Sequence, residues 1–301
     1  MKKCIIPILA AFVLMSCSLP FSIQWNTPTP IVVTATPENP QVVIITATPE
    51  PAQPTPTATS APQFTGVPFS QDGLSMVLPE CFATGASLEV VPESNPGADA
   101  AYFQYNPQYR KVAFSGYPLS GKFWQPQMLV YPIARYVELV PDLAPRISAM
   151  QQDLTNKPAE YTDKIPFLPM ENAAQVFHAQ VNYVNFQNGQ GIGFLTEYAQ
   201  YYAPANNYDL FYTYQGITGD GKYWVTLIVP VNAAYLQPTY NDPTIPADGI
   251  AMPDMMDPNA ENLFKAYYQA MVQKLNGTPA DSFTPSITCI NQFVQSLAVG
   301  D

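Results

Sequence analysis

The chain has 301 residues, among them 33 prolines, 19 tyrosines, four cysteines and one histidine, and its formal net charge is −11. Charged side chains make up 12% of it, about half the globular average of roughly 25%. An acidic balance without clustered Lys and Arg excludes nucleic acid as a partner and excludes bare attraction to anionic lipid, because both need basic patches.

The first residues read as an export address. Met1-Lys2-Lys3 is a short basic segment, and Cys4–Leu14 is an apolar run too short to span a hydrocarbon core of about 30 Å. Leu14-Met15-Ser16-Cys17 follows. It resembles the lipobox of bacterial lipoprotein precursors, although Met15 is less usual than a small residue at its place. The resemblance implies that residues 1–16 are a signal peptide and that Cys17 becomes a lipidated N-terminus carrying palmitate, with 17–26 leading away from it. A cell-envelope location on the extracytoplasmic face follows, with the membrane as a partner through the lipid alone.

Residues 27–62 hold nine Thr and nine Pro and no aromatic side chain. Ile31–Glu38 (IVVTATPE) recurs twelve residues later as Val43–Glu50 (VIITATPE). Proline at this density blocks helix and removes donors from any sheet, so an extended tether is expected. From residue 63 to 301 the composition changes. This stretch carries all 19 tyrosines, with 10 basic and 21 acidic side chains, and reads as one globular domain.

Within that domain Leu74–Leu78, Leu88–Val91, Tyr102–Tyr105, Val112–Gly116 and Gln127–Tyr131 read as strands. Pro145 opens a helix running to Asn156 that buries Ile147, Met150 and Leu154. A four-strand meander over 176–231 comes next. Its first strand places Phe177, Ala179, Val181 and Tyr183 on one face, and Asn188-Gly189 is a hairpin signal. The following strands are Ile192–Tyr202, Tyr208–Ile217 and Tyr223–Val231. Asp257-Pro258 caps a helix over Asn259–Leu275, and a last helix, Pro285–Ala298, buries Ile287, Ile290, Val294 and Leu297. The sum is an α+β fold: an antiparallel sheet with helices on at least one face. The order of elements loosely resembles the PsbP-like fold of exported bacterial domains, and the whole chain resembles uncharacterised exported lipoproteins with Thr/Pro stalks; neither resemblance supplies an activity.

Cys81 and Cys289 remain once Cys4 leaves with the signal and Cys17 takes lipid. In an oxidising compartment a structural disulfide is expected, with two free buried thiols or redox chemistry as the alternatives; a reactive thiol would lack a basic neighbour in sequence.

Chemical motifs are few. Gly116–Phe123 (GYPLSGKF) nearly spells a phosphate-binding loop but has Phe123 where Mg²⁺ needs a hydroxyl. Gly189-Gln190-Gly191-Ile192-Gly193 joins strands rather than a strand and a helix, which removes the helix dipole a dinucleotide needs. His178 sits mid-strand without a nearby nucleophile, and one histidine with two thiols is too little for a zinc cage. No cofactor is implied. Asp242, Asp248 and Asp254 lie in an acidic loop that is a weak Ca²⁺ candidate. The domain's 15 Asn and 19 Gln outnumber its 31 charged side chains. Amides and tyrosines suit sugar hydroxyls and pyranose faces, so Tyr201, Tyr202, Tyr212, Tyr214 and Trp224 form the candidate ligand surface, with core packing as the competing account. The expected function is a binding or interaction module for a protein or carbohydrate ligand. A carboxylate-based hydrolase is the alternative.

Overall fold

The computed structural model describes residues 63–97 and 99–301. The expected signal peptide, lipobox and stalk, all within 1–62, lie outside the described residues. Ten strands and four helices follow in order: β1 (Val67–Gln71), β2 (Leu74–Leu78), β3 (Gly85–Val91), β4 (Tyr109–Ser115), β5 (Gln127–Pro132), α1 (Ile133–Leu139), α2 (Ala144–Asn156), β6 (Ala174–Phe186), β7 (Gly189–Ala199), β8 (Phe211–Thr218), β9 (Tyr223–Pro230), α3 (Ala260–Gly277), α4 (Ile287–Ser296) and β10 (Ala298–Val299). Seven strands form one antiparallel sheet in the order β3-β4-β5-β9-β8-β7-β6, and β1-β2-β10 form a smaller one. The fold is α+β as expected, and helices cover both faces of the large sheet.

Alternation along the strands assigns the two faces. On β9, Val225, Leu227 and Val229 point to the side packed by α3 and α4, whereas Trp224 points to the side of α1 and α2. Tyr212 and Tyr214 of β8 join the first group; Ile217 joins the second. A strand covered on both sides is apolar on both sides, as β9 is.

Helix α4 has the spacing its sequence promises. Ile287, Ile290, Phe293 and Val294 are buried, and Ser286 caps the helix by accepting from the Cys289 amide at 3.1 Å. Cys289 is bonded to Cys81, with the two Cα atoms 6.2 Å apart across a separation of 208 residues. Phe82, next to Cys81, stacks on Phe293 with ring centroids 4.3 Å apart. Cross-link and stack together tie the small sheet's end to the last helix.

Four expectations are corrected. Tyr102–Gln104 is a single turn of 3₁₀ helix and not a strand; Ala101 N–H donates to the Gln104 side chain at 3.1 Å, closing the turn locally. In β6 the register slips between Ala179 and Asn182, with Gln180 at φ 54°. This bulge reverses the facing, so Val181 and Tyr183 pack with the α1/α2 side while Val184 and Phe186 return to the other. The hairpin loop is Gln187–Asn188, and Gly189 already belongs to β7. Its role is space. A Cβ there would lie 2.0 Å from the Phe186 ring, and those of Gly191 and Gly193 would meet the rings of Tyr214 and Tyr212. The alternating glycines are a bed for two tyrosines. Finally, β7 ends at Ala199 and β8 starts at Phe211, so Tyr201, Tyr202 and Tyr208 fall in the connecting loop.

Candidate functional site

Between α2 and β6 the chain runs from 157 to 173 without helix or strand. This strap crosses the α1/α2 side of the sheet, and two glutamines on the strands hold it. Gln215 of β8 accepts from the Leu168 amide at 3.1 Å and donates to the Leu168 carbonyl at 3.2 Å. Gln175 of β6 does the same to Ile165, at 3.1 and 3.3 Å. Each primary amide presents the donor and acceptor that a neighbouring strand would present, so the strap's backbone is satisfied without joining the sheet. Gln215 is fully buried, and its oxygen also takes Trp224 Nε1 at 2.7 Å and the Thr226 hydroxyl at 3.0 Å.

The same device recurs elsewhere. Asn207 clamps both backbone groups of Ala233, accepting from N–H at 2.8 Å and donating to C=O at 3.0 Å. Asn188 clamps Val299 at 3.0 and 2.5 Å. Part of the amide excess is therefore internal scaffolding, not recognition surface.

Where the strap meets the start of β6 and the end of β7, it leaves an open cleft of about 890 Å³. Tyr102, Tyr201, Tyr202 and Tyr268 line it together with amides that include Asn172 and Gln200. Tyr201 is 59% exposed and Tyr202 50%. Tyr202 lies flat on buried Phe264, with centroids 4.5 Å apart and planes 3° from parallel. The contact holds the ring rigid, at a gain of about 1 kcal/mol, while leaving it half exposed. Tyr102 is held by a hydrogen bond from its hydroxyl to the Glu171 carbonyl at 2.9 Å, and Gln200 donates to the Asn172 carbonyl at 2.6 Å. A second hollow of about 400 Å³ adjoins the cleft, sharing Tyr102, Lys164, Ala173 and Gln175 with it. Its wall also includes Arg146, Glu171 and Tyr198, with Ala149, Ile165, Pro166 and Phe167 as the apolar part. Burial pushes the Glu171 carboxyl above the ordinary glutamate range.

Behind the loop that carries Tyr201 and Tyr202 stands Glu197. It is 1% exposed, one oxygen accepts from the Asn206 amide at 2.8 Å, and the other makes no hydrogen bond among the described residues. Burial, then the charge of Asp209, drives its pKa well above the glutamate range, against the hydrogen bond from Asn206. A carboxyl so placed is pushed toward its neutral form.

The predicted site residues separate. Tyr201 and Tyr202 share the cleft. Tyr212 and Tyr214 are 0% and Trp224 1% exposed, so these three belong to the core and present no ligand surface. Their polar atoms explain how they got there: Tyr212 donates to Asn291 at 2.7 Å, Tyr214 to the Val184 carbonyl at 2.8 Å, and Trp224 to Gln215. Among the described residues no three His, Cys, Asp or Glu side chains come together as a metal site requires. Asp242 and Asp254 instead accept from backbone amides two residues onward, at 2.9 Å each, and Asp257 does so at 2.7 Å; Asp248 sits in the left-handed region at φ 62°. These are turn-forming roles. His178 is half-buried with Nε2 3.1 Å from the Tyr161 carbonyl, which requires the Nε2–H tautomer, and burial lowers its pKa.

Sequence reading missed Tyr102, Lys164, Arg146, Asn172 and Gln175 as wall residues. One signal was present: an irregular stretch of this length inside a compact domain is usually a binding loop or a linker. No family model, curated protein or solved structure matches the chain.

Proposed function

We propose that this protein is a lipid-anchored, extracytoplasmic binding module and that the tyrosine-lined cleft takes carbohydrate. The observation that carries the reading is the cleft itself. Half-exposed rings offer flat apolar faces to a pyranose, and neutral amides beside them match hydroxyls as both donors and acceptors. Glu171 is the one carboxylate among the lining residues of the cleft and its side hollow. Hydrolysis of glycosides by the usual route needs two, facing each other across the bond, so binding is favoured over cleavage.

Anchoring rests on the Leu14-Met15-Ser16-Cys17 motif and the Thr/Pro-rich segment after it. Among the described residues no helix is long and apolar enough to cross a membrane. The test of anchoring is metabolic labelling with a palmitate analogue: wild type is tagged and Cys17→Ala is not. The test of binding is a panel of immobilised oligosaccharides probed with the full chain. Retention on at least one sugar, lost in Tyr201→Ala/Tyr202→Ala, is expected. Retention unchanged in that double variant, or on no sugar at all, would remove the carbohydrate reading. Release of new reducing ends from a bound oligosaccharide would replace it with the hydrolase.

A further inference from the structure

Arg146 and Lys164 both face the 400 Å³ hollow at the end of the cleft. The domain has only ten basic side chains against 21 acidic ones, so two in one small hollow is a local reversal of charge. Neither forms an ion pair among the described residues, where Arg135 pairs with Glu93 and Glu138, and Lys222 with Asp301. Arg146 spends one nitrogen, Nη1, on the Phe167 carbonyl at 2.8 Å. Its position is also unfavourable for its own helix. It is the third residue of α2, and a cation in the first turn opposes the helix dipole. The helix thus adds positive potential to the hollow instead of relieving it.

The remaining wall is mixed, with Ala149, Ile165, Pro166 and Phe167 beside polar groups. Tyr198 and Gln175 are hydrogen-bonded to each other at 3.2 Å and form a fixed polar floor. Glu171 is the only acid present, and partial burial disfavours its charged form, which lessens its opposition to an anion. Tyr102 and Lys164 stand on the boundary with the cleft, so a chain lying along the tyrosines can reach the hollow that both cations line.

We propose that this hollow is a subsite for the carboxylate of an acidic sugar, so that the ligand class is uronic-acid-bearing oligosaccharide. Arg146 offers the planar fork that matches a carboxylate, and Lys164 supplies a mobile point charge from the rim. The inference rests on the carbohydrate reading of the cleft, and the experiment separates the two.

The full chain is titrated with a short oligogalacturonate, with the same oligosaccharide methyl-esterified, and with a neutral oligosaccharide of equal length. The acidic form is expected to bind about tenfold or more tightly than its ester. Lys164→Gln, which replaces a side chain that makes no hydrogen bond among the described residues, is expected to remove most of that preference, weakening the acid far more than the ester, with the circular dichroism unchanged. Adding salt should weaken the acid and spare the ester. Equal affinity for acid and ester overturns the subsite and leaves the cleft reading intact. A preference for acid that survives both Lys164→Gln and Arg146→Gln overturns this location. Binding of none of the three overturns the subsite; if the wider sugar panel is also blank, the cleft reading falls with it.

Discussion

The two faces of the seven-stranded sheet are built on different principles. The α3/α4 face is sealed by periodic helices, a stacked Phe82–Phe293 pair and the Cys81–Cys289 bond. The opposite face is covered partly by α1 and α2 and partly by the irregular strap, which is held to the strands by glutamines. Periodic cover leaves no gaps because every turn returns a side chain to the same stripe. An irregular strap must satisfy its backbone one residue at a time, and where it lifts away a cleft opens. The closed face carries stability; the clamped face supplies the side hollow and one wall of the candidate cleft, while Tyr268 and the Phe264 under Tyr202 reach it from α3.

Breaking the cross-link is the strongest way to test that division. Cys81→Ser, which frees a loop of 208 residues, is expected to cost on the order of 5 kcal/mol by chain entropy, read as a large fall in Tm. A small fall would place the stability elsewhere. Gln215→Leu is expected to cost about 3 kcal/mol, because the Leu168 amide and carbonyl and the Trp224 N–H all lose a buried partner. Gln175→Leu removes a smaller share, about 1–2 kcal/mol, and its signature is local: faster hydrogen exchange at Ile165, with the α4 amides still protected. Exchange rising equally on both faces would dissolve the distinction between them.

Glu197 gives a pH-dependent version of the test. Its pKa is raised in the fold, so the neutral form is the one the fold favours. The associated stability is full below the ordinary glutamate value and is lost as pH rises toward the folded value. Glu197→Gln should therefore match wild type near pH 4 and exceed it by roughly 1 kcal/mol or more at pH 8, measured by denaturant midpoint. An advantage at low pH instead would reverse the sign and refute the buried neutral carboxyl. The smallest effect on the fold is expected from Tyr202→Ala, about 1 kcal/mol from the lost Phe264 stack, with sugar retention falling far more than stability.

Legibility in the sequence follows the same split. Helix α4 was readable because Ile287, Ile290 and Val294 recur at helical spacing, and the meander because apolar residues alternate between turn signals. Alternation says nothing of an inserted residue, so the bulge at Gln180 moved Val181 and Tyr183 to the wrong face in the expectation. Pro68 and mixed exposure hid β1, an edge strand with little to bury. Of the five aromatic candidates, two line the cleft and three are core. That difference depends on whether a hydroxyl or indole N–H finds an internal acceptor, such as Asn291 for Tyr212 and Gln215 for Trp224, and acceptors far along the chain are invisible to local pattern. The strap offered no period at all, so Lys164 and Arg146 could be paired only once α2 and β6 were in place.

The amide clamps have a consequence for the conditions such a protein tolerates. Gln175 and Gln215 on the strap, Asn188 on the C-terminal strand and Asn207 at Ala233 attach three separate segments through hydrogen bonds between uncharged groups. Ion pairs in those positions would loosen as salt screened them and would titrate with acid. Neutral amides do neither. In the extracytoplasmic location proposed above, such clamps would keep the loops seated as salt and acidity changed, leaving the response to the charged side hollow and to Glu197.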